Sequence, residues 1–288
     1  MGNQGPLVSV LMTAYNRGKY IAEAIESVLA STYENFELII VDDCSKDDTV
    51  KIAELYALKD SRIKLFVNEK NLGQFENRNI AATYATGTYL KYVDSDDIIF
   101  PWGLEYCVME MEKFPQASIG LLYIKNRYLN ESFLMAPEET IRTHYFNGPI
   151  LSIGPTGTIF KKQWFKLNSG YDLRFDLLSD NFLNIQLAVK APAVFLPRVF
   201  FDYRVHDEQQ YNEKGYIIYG YMYNKEAYFN ANLPLRADEL LYLKRKLEKR
   251  HFVNMVRYWM KTKRPADVFE IISITKYKWW KIPVYVFW

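Results

Sequence analysis

The chain has 288 residues, of which 49% are apolar, so it can form one large domain or a domain with an appendage. A net charge of only +2 excludes the broad positive field that would favour nucleic acid as a partner. Cys44 and Cys107, the two cysteines, form no disulfide framework, and no apolar run reaches the roughly 18 residues of a membrane-spanning helix. We therefore expect a cytoplasmic protein whose contact with a membrane, where one exists, is peripheral at the inner face of the cell membrane.

Short apolar runs alternate with amphipathic segments over residues 1–100. Strands are predicted at 7–13, 36–41, 63–67 and 89–93, and helices at 20–30, 49–58 and 75–84. Buried strands of a parallel sheet are continuous apolar runs, and right-handed crossover helices cover both faces of such a sheet. The pattern therefore predicts an α/β fold with an open, twisted, mainly parallel sheet flanked by helices.

The pattern is less regular beyond residue 100. It predicts a helix ending at Phe114, a strand near 118–124 and an irregular stretch to Pro149. A second ordered block follows, with strands at 156–160, 193–196 and 199–205 and a helix at 180–190. From about Tyr216 the sequence is helical, basic and aromatic. We therefore divide the chain into an α/β domain, 1–215, and a C-terminal extension, 216–288.

Polar clusters follow the first, second and fourth predicted strands. They are Thr13-Ala14-Tyr15-Asn16, Asp42-Asp43 and Asp94-Ser95-Asp96-Asp97. Ligands of open α/β sheets bind beyond the carboxyl ends of the strands, where these clusters lie. The sequence thus predicts one binding site built from three strand ends.

The segment Asp94-Ser95-Asp96 is a candidate metal site. In extended backbone, residues two apart point to the same side, so both carboxylates can face one ion. Mg²⁺ and Mn²⁺ take carboxylate, water and phosphate oxygens as ligands, which suits diphosphate chemistry. The alternative is that these acidic residues cap the helix that starts near Pro101.

Asp43 and Arg78 have two interpretations each. The Asp43 carboxylate could accept the imide N–H of a uracil ring, or it could belong to a turn that caps the next helix. Arg78 could reach a diphosphate or base, or it could be a solvated residue on a helix surface. The residues alone leave both alternatives open.

The order and spacing of several motifs resemble family 2 glycosyltransferases with the GT-A fold. The resemblance covers roughly residues 6–210 and rests on these segments: Val8-Ser9-Val10-Leu11-Met12-Thr13-Ala14-Tyr15-Asn16-Arg17, Ala24-Ile25-Glu26-Ser27-Val28-Leu29, Phe36-Glu37-Leu38-Ile39-Ile40-Val41-Asp42-Asp43-Cys44-Ser45, Asn71-Leu72-Gly73, Arg78-Asn79 and Asp94-Ser95-Asp96-Asp97. It implies a GT-A (Rossmann-like) domain whose residues 1–100 bind the nucleotide and whose residues 101–215 bind the acceptor.

The resemblance also implies roles for single residues. Asp43 would meet the base, Arg78 would hold the uridine or phosphate, and Asp96 would be the direct ligand of Mn²⁺ or Mg²⁺. The implied nucleotide-binding set is Thr13, Ala14, Tyr15, Asn16, Asp43, Asn71, Arg78, Asp94 and Ser95. The implied metal set is Asp96, Asp94 and His206, the last from the segment Tyr203-Arg204-Val205-His206.

The implied catalytic base is Asp180, in a segment that Gly170-Tyr171-Asp172 precedes. A hydroxyl is a poor nucleophile until a positioned base removes its proton. Relatives commonly have Glu where Ser179 stands, so Asp180 here lacks a neighbouring carboxylate that could raise its pKa. The expected reaction is metal-dependent, inverting transfer of a sugar from a nucleotide-diphosphate sugar, in the first place a UDP-sugar, to a glycan or lipid-linked glycan.

Two alternatives concern function. The departure at Ser179 keeps open a catalytically impaired module that binds nucleotide sugars within a polysaccharide synthesis complex. The basic extension could lie on anionic lipid, helped by aromatic residues near its end, or pack on the catalytic domain with a solvated basic face. Those aromatic residues are Tyr277, Trp279, Trp280, Tyr285 and Trp288.

Overall fold

The computed structural model describes residues 5–124, 129–205 and 212–278. Its strands are β1 (Val8–Ala14), β2 (Phe36–Asp42), β3 (Ile63–Val67), β4 (Tyr89–Tyr92), β5 (Ile98–Ile99), β6 (Ile119–Leu122), β7 (Phe133–Met135), β8 (Thr158–Lys161), β9 (Ala193–Leu196) and β10 (Phe201–Asp202). Its helices are α1 (Ile21–Leu29), α2 (Thr49–Ala57), α3 (Gln74–Tyr84), α4 (Gly103–Glu112), α5 (Pro137–Arg142), α6 (Lys162–Leu167), α7 (Ser179–Lys190), α8 (Glu213–Asn230), α9 (Ala237–Thr262) and α10 (Pro265–Thr275).

Eight strands form one mixed, mainly parallel sheet in the order β3-β2-β1-β4-β8-β6-β9-β7. The strands β3, β2, β1 and β4 are parallel, with Ala14 opposite Asp42 and Leu11 opposite Tyr92. β8 runs antiparallel to both β4 and β6, and β7 runs antiparallel to β9. The predicted open α/β sheet is confirmed. Because β2, β1 and β4 are neighbours, their polar carboxyl ends share one edge.

Alternate residues of the central strands face two different cores. Leu11 and Ile39 belong to the core that α3 and α7 cover, whereas Val10 and Leu38 belong to the core that α1 and α4 cover. All four side chains are fully buried. A strand buried on both faces has no polar side, which is why β1 and β2 are continuous apolar runs.

Two predicted segments differ from the structure. The strand predicted at 199–205 is reduced to β10, which pairs with β5 in a separate two-stranded sheet. The stretch expected to be irregular up to Pro149 contains β7, α5 and a π-helical turn, Thr143–Asn147. These elements are three to six residues long, too short for a hydrophobic period to be read from them.

The C-terminal extension is helical, as predicted, and packs on the α/β domain. α8 lies against α7 and the 3-10 segment Leu173–Leu178, while α9 and α10 pack on α8. Tyr223, Ala227 and Leu233 belong to the same core as the sheet. None of the described helices is both long enough and apolar enough to cross a bilayer. The aromatic residues from Trp279 onward lie outside the described residues.

Candidate active site

The loop after β1 is joined to the loop after β2 through Asn16. The Asn16 backbone N–H donates to the Ser45 hydroxyl at 2.8 Å, and its side-chain oxygen accepts from the Lys46 backbone N–H at 2.8 Å. Asn16 has a φ of 52°, a left-handed conformation that asparagine tolerates well. Tyr15 is 44% exposed beside it. These contacts fix the rim of the site and leave the Tyr15 ring available to a ligand.

Asp43 holds the loop between β3 and α3. Its buried carboxylate accepts hydrogen bonds from the backbone N–H groups of Leu72 and Gly73, at 2.9 and 2.8 Å, and from the Asn68 amide at 2.9 Å. A carboxylate offers about four acceptor positions, so one remains for a ligand donor. Asn71, predicted to bind nucleotide, is exposed in this loop.

The segment Asp94–Asp97 is a turn, and the expected extended backbone is wrong there. β4 ends at Tyr92, and the Asp97 backbone N–H donates to the Asp94 carbonyl at 2.9 Å. The turn is fastened to the end of β1, because the Ser95 hydroxyl donates to the Thr13 carbonyl at 2.9 Å. A turn lets the first and fourth residues bond to each other, which an extended chain cannot do.

Each flanking carboxylate of this turn forms an ion pair with its own arginine. Arg78 Nη2 lies 2.6 Å from Asp94 Oδ1, and Arg17 Nε lies 3.0 Å from Asp96 Oδ2. Arg78 is 7% exposed, so the solvated interpretation of this residue is wrong. The two pairs therefore place fixed positive charge beside both carboxylates.

Asp97 and Arg204 complete the turn. Burial, with the charge of Asp94 next in importance, raises the pKa of Asp97 to about 7. The Arg204 backbone N–H donates to Asp97 Oδ1 at 3.3 Å, and the Arg204 guanidinium donates to the Asp96 carbonyl. The segment leading to His206 thus packs against the turn, but His206 itself lies outside the described residues.

The oxygen ligands of this turn match the preference of Mg²⁺ and Mn²⁺ for carboxylates. Asp94 and Asp96 provide them, next to Asp97, whose pKa is raised first by burial and then by the charges of these two residues. Within residues 5–124, 129–205 and 212–278, no three His, Cys, Asp or Glu side chains are grouped so that they could hold a metal ion. The predicted metal set stays a prediction, and an ion here would share Asp94 and Asp96 with their arginines.

Asp180 lies on the first turn of α7, near enough to Arg78 and Asp94 for their charges to affect its pKa. Burial raises the pKa of Asp180 to about 6; the Asn181 N–H and the charge of Arg78 lower it, and the charge of Asp94 raises it. The Asn181 N–H donates to Asp180 Oδ1 at 2.7 Å. A carboxylate in this position can take up a proton near neutral pH, as a general base must.

Ser179 and Asn79 position the segment before α7. The Ser179 hydroxyl donates to the Asp172 carbonyl at 2.7 Å. Asn79, the residue after Arg78, exchanges two hydrogen bonds of 2.8 Å with the Tyr171 backbone. Gly170 has a φ of 71°, which glycine adopts without strain. These bonds connect α3, which carries Arg78, to the helix that carries Asp180.

Sequence reasoning assigned no role to four residues that build this site. Arg17, Asp97 and Asn79 lie inside the motifs quoted above, so their place in those motifs could have indicated a role. For Arg204, the sequence offers no indication beyond the neighbouring His206. A side chain's partner across 79 residues, as for Arg17 and Asp96, cannot be read from spacing.

Comparison with known protein families supports a single assignment. The family model described as glycosyl transferase family 2 matches residues 9–167 of the 288. This match covers β1 to α6 and therefore includes Asp43, Arg78 and the Asp94–Asp97 turn. It ends before Asp180.

Two curated relatives share part of the chain. The putative glycosyltransferase EpsE of Bacillus subtilis is 46% identical over 112 residues, which are 38% of this chain and 40% of EpsE. The Escherichia coli protein WfgD, named UDP-Glc:alpha-D-GlcNAc-diphosphoundecaprenol beta-1,3-glucosyltransferase, is 37% identical over 130 residues, 45% of this chain and 49% of WfgD. The chain thus matches less than half the length of either relative.

Two solved structures resemble the whole fold. TarS 1–349 of S. aureus, in complex with UDP-GlcNAc, has a TM-score of 0.70 at 22% identity and covers 92% of this chain and 79% of its own. The mannosyltransferase PcManGT of Pyrobaculum calidifontis, in complex with GDP-Man and Mn²⁺, has a TM-score of 0.66 at 15% identity and covers 99% of this chain and 86% of its own. At such identities the similarity establishes the GT-A fold alone.

Proposed function

Because the chain belongs to glycosyl transferase family 2, we propose that it transfers a sugar from a nucleotide-diphosphate donor to a hydroxyl of a glycan or lipid-linked glycan. A UDP-sugar is the favoured donor, since WfgD is named for UDP-Glc and TarS was solved with UDP-GlcNAc. The name of WfgD also supports a lipid-linked acceptor and a place in polysaccharide synthesis.

One observation carries the proposal. Asp180, with a pKa raised to about 6, interacts electrostatically with both Arg78 and Asp94. The hydrogen bonds between Asn79 and Tyr171 tie the helix of Arg78, the partner of Asp94, to the segment before Asp180, although 86 positions separate Asp94 from Asp180 in the sequence. A proton acceptor beside a diphosphate-binding group is the arrangement that group transfer to a hydroxyl requires.

The proposed step is a single displacement that inverts the anomeric carbon. The acceptor oxygen forms a bond to that carbon while its proton moves to the Asp180 carboxylate. The bond from the anomeric carbon to the diphosphate oxygen breaks, and its electron pair leaves with the nucleoside diphosphate. One base and one leaving group suffice, so no covalent enzyme intermediate is needed.

The residues at the strand ends would bind the donor. Thr13, Ala14, Tyr15 and Asn16 would line the nucleoside. Asp43 would accept a hydrogen bond from the nucleobase, and Asn71 would complete the nucleoside side of the site. On the other side, Arg78, Asp94 and Ser95 would hold the ribose and phosphates, because a guanidinium matches phosphate oxygens in charge and geometry.

Asp96 and Asp94, with His206, would hold Mn²⁺ or Mg²⁺. The bound ion would neutralise charge on the leaving diphosphate as a Lewis acid. PcManGT was solved with Mn²⁺, which supports this proposal. Arg17 then acts on Asp96 as a positioning residue, since it holds that carboxylate at 3.0 Å.

We further propose that the chain consists of a catalytic domain, 1–215, and a basic extension, 216–288. Residues 1–100 would bind the nucleotide and residues 101–215 the acceptor. A cytoplasmic protein with peripheral membrane contact through the extension would suit a lipid-linked acceptor. Flotation of the full chain with liposomes of anionic and of neutral lipid tests this part: binding to anionic liposomes alone is expected, and equal behaviour with both contradicts it.

The decisive experiment measures UDP release and UDP binding in parallel. UDP-GlcNAc and UDP-Glc with Mn²⁺ are the first donors to test, with and without a hydroxyl acceptor. Asp180→Asn should lower turnover by a factor of about 10² to 10⁴, the usual contribution of a general base, while UDP affinity stays within about twofold. Asp48→Asn, an exposed carboxylate ahead of α2, is the matched control and should leave both unchanged.

Full activity of Asp180→Asn would remove Asp180 as the base. Intact UDP binding without turnover of any donor by the unmodified chain would instead favour the nucleotide-sugar-binding module. That second function has one observation on its side, the serine at position 179 where relatives commonly have glutamate. The Ser179 hydroxyl is engaged by the Asp172 carbonyl and cannot replace a second carboxylate.

A further inference from the structure

A cavity of about 880 Å³ lies between the α/β domain and the C-terminal extension. Its walls come from the segment around His144–Ser152, the first turn of α7, and the helices α8 and α9. The volume falls in the range of ligand-binding cavities, which is about 300–1,000 Å³. The donor-site residues proposed above are not among its lining residues.

The wall contributed by α9 is cationic. Lys246, Arg250 and Arg257 line the cavity together with Asn254, at intervals of four, four and three residues. Such spacing places all four side chains on one face of a helix. Among the described residues, none of the three cations forms an ion pair. The carboxylate that lines the cavity, Glu213, is paired with Lys261 at 2.6 Å.

Two buried polar atoms in the cavity wall lack protein partners. His251 is 2% exposed, and its Nε2 atom has no hydrogen-bond partner in the described structure. The same is true of the Tyr145 hydroxyl on the opposite wall. Both atoms have almost no accessible surface, so a ligand in the cavity does not reach them as the side chains stand. The His251 ring itself is fixed by stacking on Tyr221, with 4.1 Å between centroids.

The cavity reaches residues that are close to the proposed base in sequence. Leu178 and Asn181, which lie on either side of Asp180 in sequence, line its wall, as do Pro149 and Ser152. Gly154, just beyond that segment, lies so that a Cβ atom on it would be 4.0 Å from Asp180 Oδ2. Asp180 itself does not line the cavity, so a ligand there would lie beside the helical turn that carries the proposed base.

We propose that this cavity binds the acceptor and that Arg250 and Arg257 hold a phosphate or diphosphate group on it. The inference rests on the proposed function, whose acceptor it specifies. Three unpaired cations in a concave site favour a ligand with two or more negative charges, and a guanidinium binds phosphate through two parallel hydrogen bonds. A neutral glycan would offer no charged partner to these three exposed side chains.

Binding of phosphate probes can be measured without any turnover. Inorganic pyrophosphate and n-decyl diphosphate are titrated calorimetrically into the full chain, with the donor site saturated by UDP and Mn²⁺. We expect both to bind, and the double variant Arg250→Gln/Arg257→Gln to lose at least tenfold in affinity, since each charge-assisted hydrogen bond contributes about 1.5 kcal/mol or more. Arg245→Gln/Lys249→Gln, exposed on the same helix and outside the cavity lining, is the matched control and should stay within twofold.

The two probes also distinguish the source of the phosphate. Tighter binding of the decyl probe than of pyrophosphate supports a lipid-linked source of the phosphate. Equal binding of the two supports a soluble phosphorylated glycan.

Absence of binding by both probes overturns the inference, as does equal loss of affinity in the Arg250/Arg257 and Arg245/Lys249 variants. The proposed transferase activity is tested separately, by UDP release from UDP-sugars. Probe binding without turnover would contradict the transferase, and turnover without probe binding would contradict this acceptor. Circular dichroism of each variant confirms that the helices remain folded.

Discussion

Asp180 has a raised pKa, which is unfavourable for a carboxylate whose role is only structural. It is held at the start of a helix, where the N–H groups stabilise its charge, yet burial raises its pKa to about 6. A surface carboxylate at a helix N-terminus would have a lowered pKa instead. Retaining an unfavourable charge beside Arg78 and Asp94 is characteristic of functional sites.

The pH dependence of sugar transfer follows from this pKa. The base works when deprotonated, so kcat should fall as the pH drops below about 6 and level off above it, because burial raises the pKa of Asp180 to about that value. Initial rates at saturating donor from pH 5 to 8 measure this. Asp48→Asn should give the same profile as the unmodified chain, whereas a rate that stays flat from pH 5 to 7 would assign the proton to another group.

Gly73 shows how one backbone conformation supports the site. Its φ of 91° and ψ of 160° belong to a region that residues with a side chain rarely enter, and its N–H donates to Asp43. A Cβ atom there would meet no atom within 4 Å. Any effect of a substitution is therefore due to the backbone rather than to a clash.

We expect Gly73→Ala to lower the free energy of unfolding by about 1–3 kcal/mol and to weaken UDP binding, because the alanine strains the loop that Asp43 holds. Urea denaturation and UDP titration measure the two effects. Gly220→Ala is the matched control: this glycine lies within α8, where alanine favours the helix by up to about 1 kcal/mol. Equal effects of the two substitutions would contradict the strained backbone.

Glu37 connects several elements at the opposite end of the parallel strands. This residue of β2 is 6% exposed and accepts hydrogen bonds from Ser9 on β1, from Lys64 on β3 and from Thr86 ahead of β4. Burial alone would raise the pKa of Glu37, but these donors lower it to about 2. One carboxylate thus fixes three neighbouring strands and the loop before the fourth.

Replacing that carboxylate should destabilise the sheet in a pH-dependent way. Glu37→Gln is expected to lower the free energy of unfolding by about 2 kcal/mol at pH 7, where the charged form is hydrogen-bonded. Because its folded pKa of about 2 lies below the usual 4.5, the stabilisation is lost as the pH falls from 4.5 through 2. Urea midpoints at pH 7 and pH 3 measure this, with the exposed Glu54→Gln on α2 as control. A difference that does not shrink at pH 3 would contradict the assignment.

The elements that the sequence revealed are those with a long, uniform pattern. β1 to β3 and α1 to α3 were predicted within one or two residues. β1 and β2 are buried on both faces and have long apolar runs, whereas β3, a partly exposed edge strand, has a short apolar run between two amphipathic segments. β7 and α5 escaped prediction because they are three and six residues long. β10 was predicted too long because only Phe200 and Phe201 of this segment pack in the core beside β5, whereas Val199, Tyr203 and Val205 are exposed.

In the candidate site, too, some features could be predicted from the sequence and others could not. The strand-end clusters were placed correctly along the sheet edge, since topology alone brings β2, β1 and β4 together. The turn at Asp94–Asp97 and the pairing of Arg17 with Asp96 depend on tertiary contacts across the fold. The spacing of residues along the sequence does not encode such contacts, so the geometry of the charged groups is seen only in the structure.

At the scale of the whole molecule, the C-terminal extension shares a hydrophobic core with the α/β domain, which a division of the chain into two parts does not predict. Tyr223 and Ala227 of α8 and Leu233 after it lie in the core that α3, α7 and the sheet share. α9 in turn buries Leu243 and Leu247, which line the cavity together with the cations on the same face of the helix. The extension thus completes both a core and a binding wall.

Because this core is shared, the chain should unfold in one cooperative transition. Tyr223 is 9% exposed, and Tyr223→Ala should cost about 3 kcal/mol through the cavity it leaves, lowering the single transition by roughly 6–12 °C. Far-ultraviolet circular dichroism and tryptophan fluorescence should report the same midpoint, because an independent extension would instead melt first and separate the two signals. Phe269→Ala on α10, where the ring is 71% exposed, is the control and should shift the midpoint by less than about 2 °C. A second transition in Tyr223→Ala would mean that the helices of the extension fold without the sheet. The cationic wall of the cavity would then form only when the folded extension docks on the α/β domain.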